Sequence, residues 1–156
     1  MIRVVLTVAV AVALLAASMP VLEAARTDTT VQRLDTQAER IERAAAGVVA
    51  GSAAVSDPSL AARTTATVRS PSGITAAPVD RLALVESDRG EPTATVALRY
   101  RIDGGPERTV PVVPETVPAN VEIESGPIEL RTRGDSRIEF LFVNDGEPTI
   151  RIARLG

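Results

Sequence analysis

The chain has no cysteine, no histidine and no lysine, and aromatic residues make up only 2% of it. The missing cysteines exclude disulfides, thiolate nucleophiles and cysteine metal sites, and leave the redox compartment open. The missing histidines remove the commonest zinc ligand, the usual general base and every Ser-His or Cys-His arrangement. A phosphate loop of the Walker type needs a lysine, and there is none. With so few rings, a core must be built from Val, Leu, Ile and Ala, which offers few deep pockets. These absences lead us to expect a non-enzymatic protein with no catalytic residue, no metal site, no cofactor and no small-molecule substrate.

What is present is aliphatic and mildly acidic. Of 156 residues, 45% are hydrophobic, and 17 basic residues, all arginine, stand against 20 acids for a formal charge of −3. That balance argues against nucleic acid as a partner. The length allows one modest domain and an appendage.

Residues 2–19 read IRVVLTVAVAVALLAASM, with Arg3 as the one charge, Thr7 and Ser18 as the polar groups, and Pro20 directly after. A membrane-spanning helix needs about 20 apolar residues, with a range of roughly 17–25, and Val21 and Leu22 extend the run past the proline. The expected anchor residues are Val4, Val5, Leu6, Val8, Val10, Val12, Leu14 and Leu15. A cleaved secretory signal is the competing reading, with residues 4–15 as its apolar stretch and Ala16-Ala17-Ser18 as an A-x-S cleavage site. A buried helix in a soluble core is a third. In both membrane-targeted readings Arg3 stays on the cytoplasmic side and everything after Pro20 lies outside.

Between residues 21 and 55 the spacing is helical: Val31, Leu34, Ala38, Ile41, Ala45 and Val48 recur at steps of three and four. Val31, Leu34, Ile41 and Val48 are the expected packing stripe, against the sheet or a neighbour. The other face carries Arg26, Asp28, Arg33, Asp35, Glu39, Arg40, Glu42 and Arg43, with Glu39 and Arg43 spaced as an i,i+4 ion pair. Thr27 and Asp28 would cap a new helix if the chain breaks after Pro20, whereas Pro20 would otherwise kink one continuous helix. The helix should end between Gly47 and Gly51, or at latest before Asp57-Pro58-Ser59. Gly47 and Gly51 also form a GxxxG spacing, read as close packing on a sheet or as self-association.

Beyond residue 60 the pattern shifts to short runs rich in Thr, Val and Ile, separated by Gly, Pro, Asp and Asn. Strands are expected at 63–69, 81–86, 93–102, 108–113, 121–124, 128–133, 137–143 and 149–154. Hairpins are expected at Asp103-Gly104-Gly105, at Gly134-Asp135 and at Asn144-Asp145-Gly146. Alternation puts Val96, Leu98, Tyr100 and Ile102 on one covered face, likewise Ile138, Phe140 and Phe142, with Arg137 and Glu139 outward. Prolines 111, 114 and 118 confine their stretch to an edge or an extended crossing, with a recognition segment as the alternative. The fold class is therefore α+β: residues 1–22 anchor or signal, 23–56 amphipathic helical stalk, 60–156 antiparallel β-sheet domain.

Three short motifs have bland readings beside sharper ones. Arg133-Gly134-Asp135 spells an adhesion tripeptide but is also what a tight turn requires. Asn144-Asp145-Gly146-Glu147 offers calcium-binding oxygens without the spaced carboxylates of a calcium loop. Glu122, Glu124 and Glu129 are read as a solvated stripe rather than paired catalytic acids.

The lysine-free, alanine- and valine-rich usage resembles that of small haloarchaeal membrane proteins. In order, an apolar N-terminal helix, a proline near its end, an amphipathic continuation and a C-terminal β domain resemble the plan of type IV pilins and pseudopilins. The resemblance is architectural and covers the whole chain. It implies that residues 4–22 serve as membrane store and filament core, that residues 31–55 carry the β domain, and that the partners are other pilin-like or secretion-system subunits. The chain departs from that plan in three ways: no short basic leader precedes the apolar run, Val5 stands where the early glutamate is found, and no aromatic begins the helix.

Overall fold

The computed structural model describes residues 2–86, 94–114 and 117–156. Helix α1 runs unbroken from Ile2 to Ala50 with Pro20 inside it. At 1.5 Å per residue it is about 73 Å long. Pro20 thus neither breaks the chain nor frees Thr27 and Asp28 to cap a second helix. The helix ends where glycine spacing said it should: the Gly51 amide bonds the Gly47 carbonyl at 3.1 Å, and the Ser52 hydroxyl turns back on the Val48 carbonyl. Asp57 then caps a turn by accepting the Ser59 amide at 2.8 Å.

Strands β1 (Ala62–Arg69), β2 (Val79–Glu86), β3 (Ala94–Ile102), β4 (Glu107–Pro114), β5 (Asn120–Ile123), β6 (Ile128–Glu129), β7 (Asp135–Asn144) and β8 (Pro148–Leu155) follow. They form two four-stranded sheets, ordered β1-β7-β8-β5 and β4-β3-β2-β6. Period-two alternation builds the core. Val96, Leu98, Tyr100 and Ile102 are all buried, as are Ile138, Phe140 and Phe142 across from them in the other sheet. The inward residues of both sheets join Leu34, Ala38, Ile41, Ala45 and Val48 of the helix in one continuous core. The helix packs chiefly on β1 and β4, one edge strand from each sheet, so its C-terminal half is built into the β domain. β4, which carries Pro111 and Pro114, is an edge strand, the position in a sheet where proline is tolerated. Residues 115 and 116 of the proline-rich stretch, and residue 93 of the expected third strand, lie outside the described residues.

Two expectations are corrected. β5 pairs in parallel with β8, Val121 opposite Ile150, so the first sheet is mixed rather than purely antiparallel. Gly134-Asp135 is not a hairpin. β6 pairs with β2 and ends at Glu129, while β7 pairs with β1 and β8, so residues 130–134 cross from one sheet to the other. Backbone bonds hold the ends of the crossing, from the Leu130 amide to the Leu82 carbonyl and from the Ser70 amide to the Gly134 carbonyl. Side-chain oxygens hold its middle: the Arg131 amide bonds Ser136 Oγ at 2.9 Å, and Ser70 Oγ donates to the Thr132 carbonyl at 2.6 Å. Gly134, at φ 86°, makes its turn within this crossing. The other two turns do join neighbouring antiparallel strands, β3 to β4 and β7 to β8.

Candidate membrane-contacting site

Residues 4–22 of α1 are apolar around the whole circumference of the helix, and all of them are exposed among the described residues. Val4, Val5, Leu6, Val8, Val10, Val12, Leu14 and Leu15 are 51–69% exposed, and Met19, Val21 and Leu22 continue the exposed run. A helix apolar on all sides belongs in a protein core or in lipid, and here no part of the apolar window is buried. The soluble core-helix reading therefore fails. The helix is long and apolar enough to cross a membrane. The two hydroxyls within the apolar run suit such a setting: Thr7 Oγ1 donates to the Arg3 carbonyl at 2.9 Å and Ser18 Oγ to the Leu14 carbonyl at 2.7 Å, so neither needs water.

Further along, the stripe meets the sheets. Leu34 and Ile41 are fully buried, Val48 nearly so, and Val31 is half-buried at the margin. Sequence reasoning missed two polar members of the same face. Thr30 and Gln37 are buried. A heptad phase through 30, 34, 37, 41 and 48 would have placed both on the stripe. Gln37 Oε1 accepts the Arg69 amide at 3.2 Å, where β1 ends. Thr30 Oγ1 accepts the Ala77 amide at 2.9 Å and donates to the Ala77 carbonyl at 3.1 Å. On the solvent side Arg43 Nε bonds the Glu39 carbonyl at 3.2 Å rather than forming the expected carboxylate pair. Gly47 faces a shallow groove of about 330 Å³ beside Arg63 and Thr64 instead of touching the sheet.

The motif oxygens are engaged by the protein itself. Asp135 of the Arg-Gly-Asp run pairs with Arg69 at 3.4 Å. In the β7–β8 turn, Asp145 pairs with Arg151 at 2.6 Å, Glu147 accepts from Asn120 at 2.7 Å, and Asn144 Oδ1 accepts the Gly146 amide at 3.1 Å. Glu122 lies 3.9 Å from Arg151, whereas Glu129, on the other sheet, accepts from Arg81 at 3.2 Å. Glu122 and Glu129 thus stand on separate sheets, each beside its own arginine. A groove of about 1020 Å³ opens between the β1–β2 connection and the 130–134 crossing, with Pro71, Ala76, Val79, Arg131 and Arg133 in its walls.

A family model matches residues 1–155, nearly the whole chain. The chain belongs to the DUF7311 family. DUF7311 is a domain of unknown function, and its model takes in the apolar segment together with the helix stripe and both sheets. No curated protein and no solved structure is similar to this member of DUF7311.

Proposed function

We propose that the protein is a non-enzymatic, single-pass membrane protein that acts by contact. Residues 2–22 are its anchor, and its β domain is displayed on the extracytoplasmic face. The observation that carries this reading is the run of residues 4–22, apolar and exposed among the described residues, on a helix whose second half is fixed in the β core. Burying a Val or Leu side chain fully is worth about 1.5–3 kcal/mol, so eight or more such residues left in water is an unstable arrangement that lipid relieves. Arg3, on the N-terminal side of the apolar run, supports an orientation with that side in the cytoplasm.

Within that reading, the order of parts supports a pilin-like subunit or an accessory of an archaeal type IV pilus or type II-like secretion system. Cell fractionation with intact-mass analysis tests the anchor. A membrane-bound species retaining residues 4–15 is expected; a soluble species beginning near Met19 would replace it with a secreted binding module. Crosslinking tests the assembly. A chain carrying both Val8→Cys and Leu15→Cys should form a ladder of crosslinked copies in the membrane, and monomer alone would sink the pilin-like part while leaving the anchor standing.

A further inference from the structure

From the C-terminal end of α1 back toward Arg26, the helix meets first β1 and then the β1–β2 connection. Ala62, Arg63 and Thr64 lie beside Gly47 and Gly51; the Arg69 amide meets Gln37; Thr75 meets Arg33 at 3.4 Å; Ala77 meets Thr30; and the Ile74 carbonyl accepts Arg26 Nε at 2.7 Å. Strand β1 therefore travels back along the helix toward the apolar segment. Among these contacts, the connection between β1 and β2 is the part of the β domain that comes nearest that segment.

Distances along the helix place this connection at a definite height. From residue 2 to residue 22 the rise is about 30 Å, the thickness of a bilayer's hydrocarbon core. Arg26 is four residues further, about 6 Å beyond, within a headgroup layer of about 5–8 Å. The loop held against Arg26 carries Ile74, 86% exposed and as exposed as any large apolar residue in the described chain. Residues 71–76, Pro-Ser-Gly-Ile-Thr-Ala, carry no charge, so none would have to be desolvated to approach lipid. Arg26 has one guanidinium N–H on the Ile74 carbonyl, and its remaining donors suit lipid phosphates.

We propose that this loop is a second membrane contact, in which Ile74 enters the lipid interface beside the anchor and Arg26 meets the headgroup phosphates. The inference rests on the membrane-anchor reading. The β domain would then lie against the bilayer surface at two points, the helix and the loop, with its tilt fixed by both.

The absence of cysteine makes the test direct. Ile74→Cys and, as the control, Leu60→Cys would each be labelled with an environment-sensitive fluorophore. Leu60 is also exposed, at 75%, but it follows the far end of the helix. Both full-length proteins would be reconstituted into phosphatidylcholine–phosphatidylglycerol vesicles carrying a shallow spin-labelled lipid quencher. The expected result is a blue-shifted emission and at least several-fold stronger lipid quenching at position 74 than at 60. Equal quenching at the two positions, in protein that floats with the vesicles, overturns the loop contact alone. A blue shift at 74 that grows with protein-to-lipid ratio without lipid quenching also overturns it, because a second copy would then cover Ile74. Failure to float overturns the anchor and the loop contact with it.

Discussion

Thr30 on the helix and Ala77 on the β1–β2 connection exchange two hydrogen bonds, with the Thr30 hydroxyl accepting from the Ala77 amide at 2.9 Å and donating to its carbonyl at 3.1 Å. The Ala77 amide also reaches the Arg26 carbonyl at 3.3 Å. One buried hydroxyl thereby satisfies both backbone groups of a residue that belongs to neither sheet. Thr30→Val keeps the shape and removes both bonds. We expect a loss of about 1–3 kcal/mol in urea unfolding and faster amide exchange across residues 71–78. Unchanged exchange there would mean that packing alone holds the loop.

The helix stripe should respond in proportion to burial. Leu34→Ala and Ile41→Ala should each cost about 2–5 kcal/mol, since both side chains are fully enclosed. Leu34→Asp or Ile41→Asp should abolish folding, because an unpaired carboxylate would enter the core. Val31→Asp, at the half-buried margin, should be much milder. Circular dichroism and thermal melting of the five variants would rank them, and equal tolerance of all five would refute the packing described.

Tyr100, the sole tyrosine, lies in the core, and burial there raises its pKa above the ordinary 10.0. The nearby Asp35 carboxylate adds to the rise, while the charge and hydrogen bond of Arg108 oppose it. The folded state therefore holds the phenolic proton more tightly than the unfolded chain. Its contribution to stability is full below about pH 10 and is lost as pH climbs through the folded-state value. Phenolate absorbance should appear at higher pH in native protein than in urea. Tyr100→Phe should lose less stability than the parent on alkalinisation above about pH 10.

Val10→Arg should weaken the anchor. An arginine at the centre of a spanning helix costs about 2.5–3.5 kcal/mol on insertion, enough to shift much of the protein out of the carbonate-resistant membrane fraction. The β domain, which Val10 does not touch, should melt unchanged in detergent. Full retention in that fraction would argue that another surface binds the membrane.

Much of the fold was legible because its signals are local. The three- and four-residue steps from Val31 to Val48 require only that one helix face be covered, and the alternation of Val96, Leu98 and Tyr100 requires only a sheet with one buried face. The apolar run at residues 2–22 is read by length and composition, and Pro111 and Pro114 announce an edge because they lack a donor. Partner choice was not legible. Gly134-Asp135 has the chemistry of a hairpin, yet the strands on either side belong to different sheets, and nothing within ten residues encodes that. The parallel pairing of Val121 with Ile150 and the burial of Thr30 and Gln37 are likewise set by distant backbone. The sequence by itself determined which segments are helix and strand, which faces are apolar and that one segment suits lipid, since these follow from each residue's own geometry and hydration. Only the tertiary structure decided that the helix is built into the core rather than standing free as a stalk, and that Ile74 is held beside Arg26. Both depend on contacts between residues 32–48 positions apart, which no local pattern records.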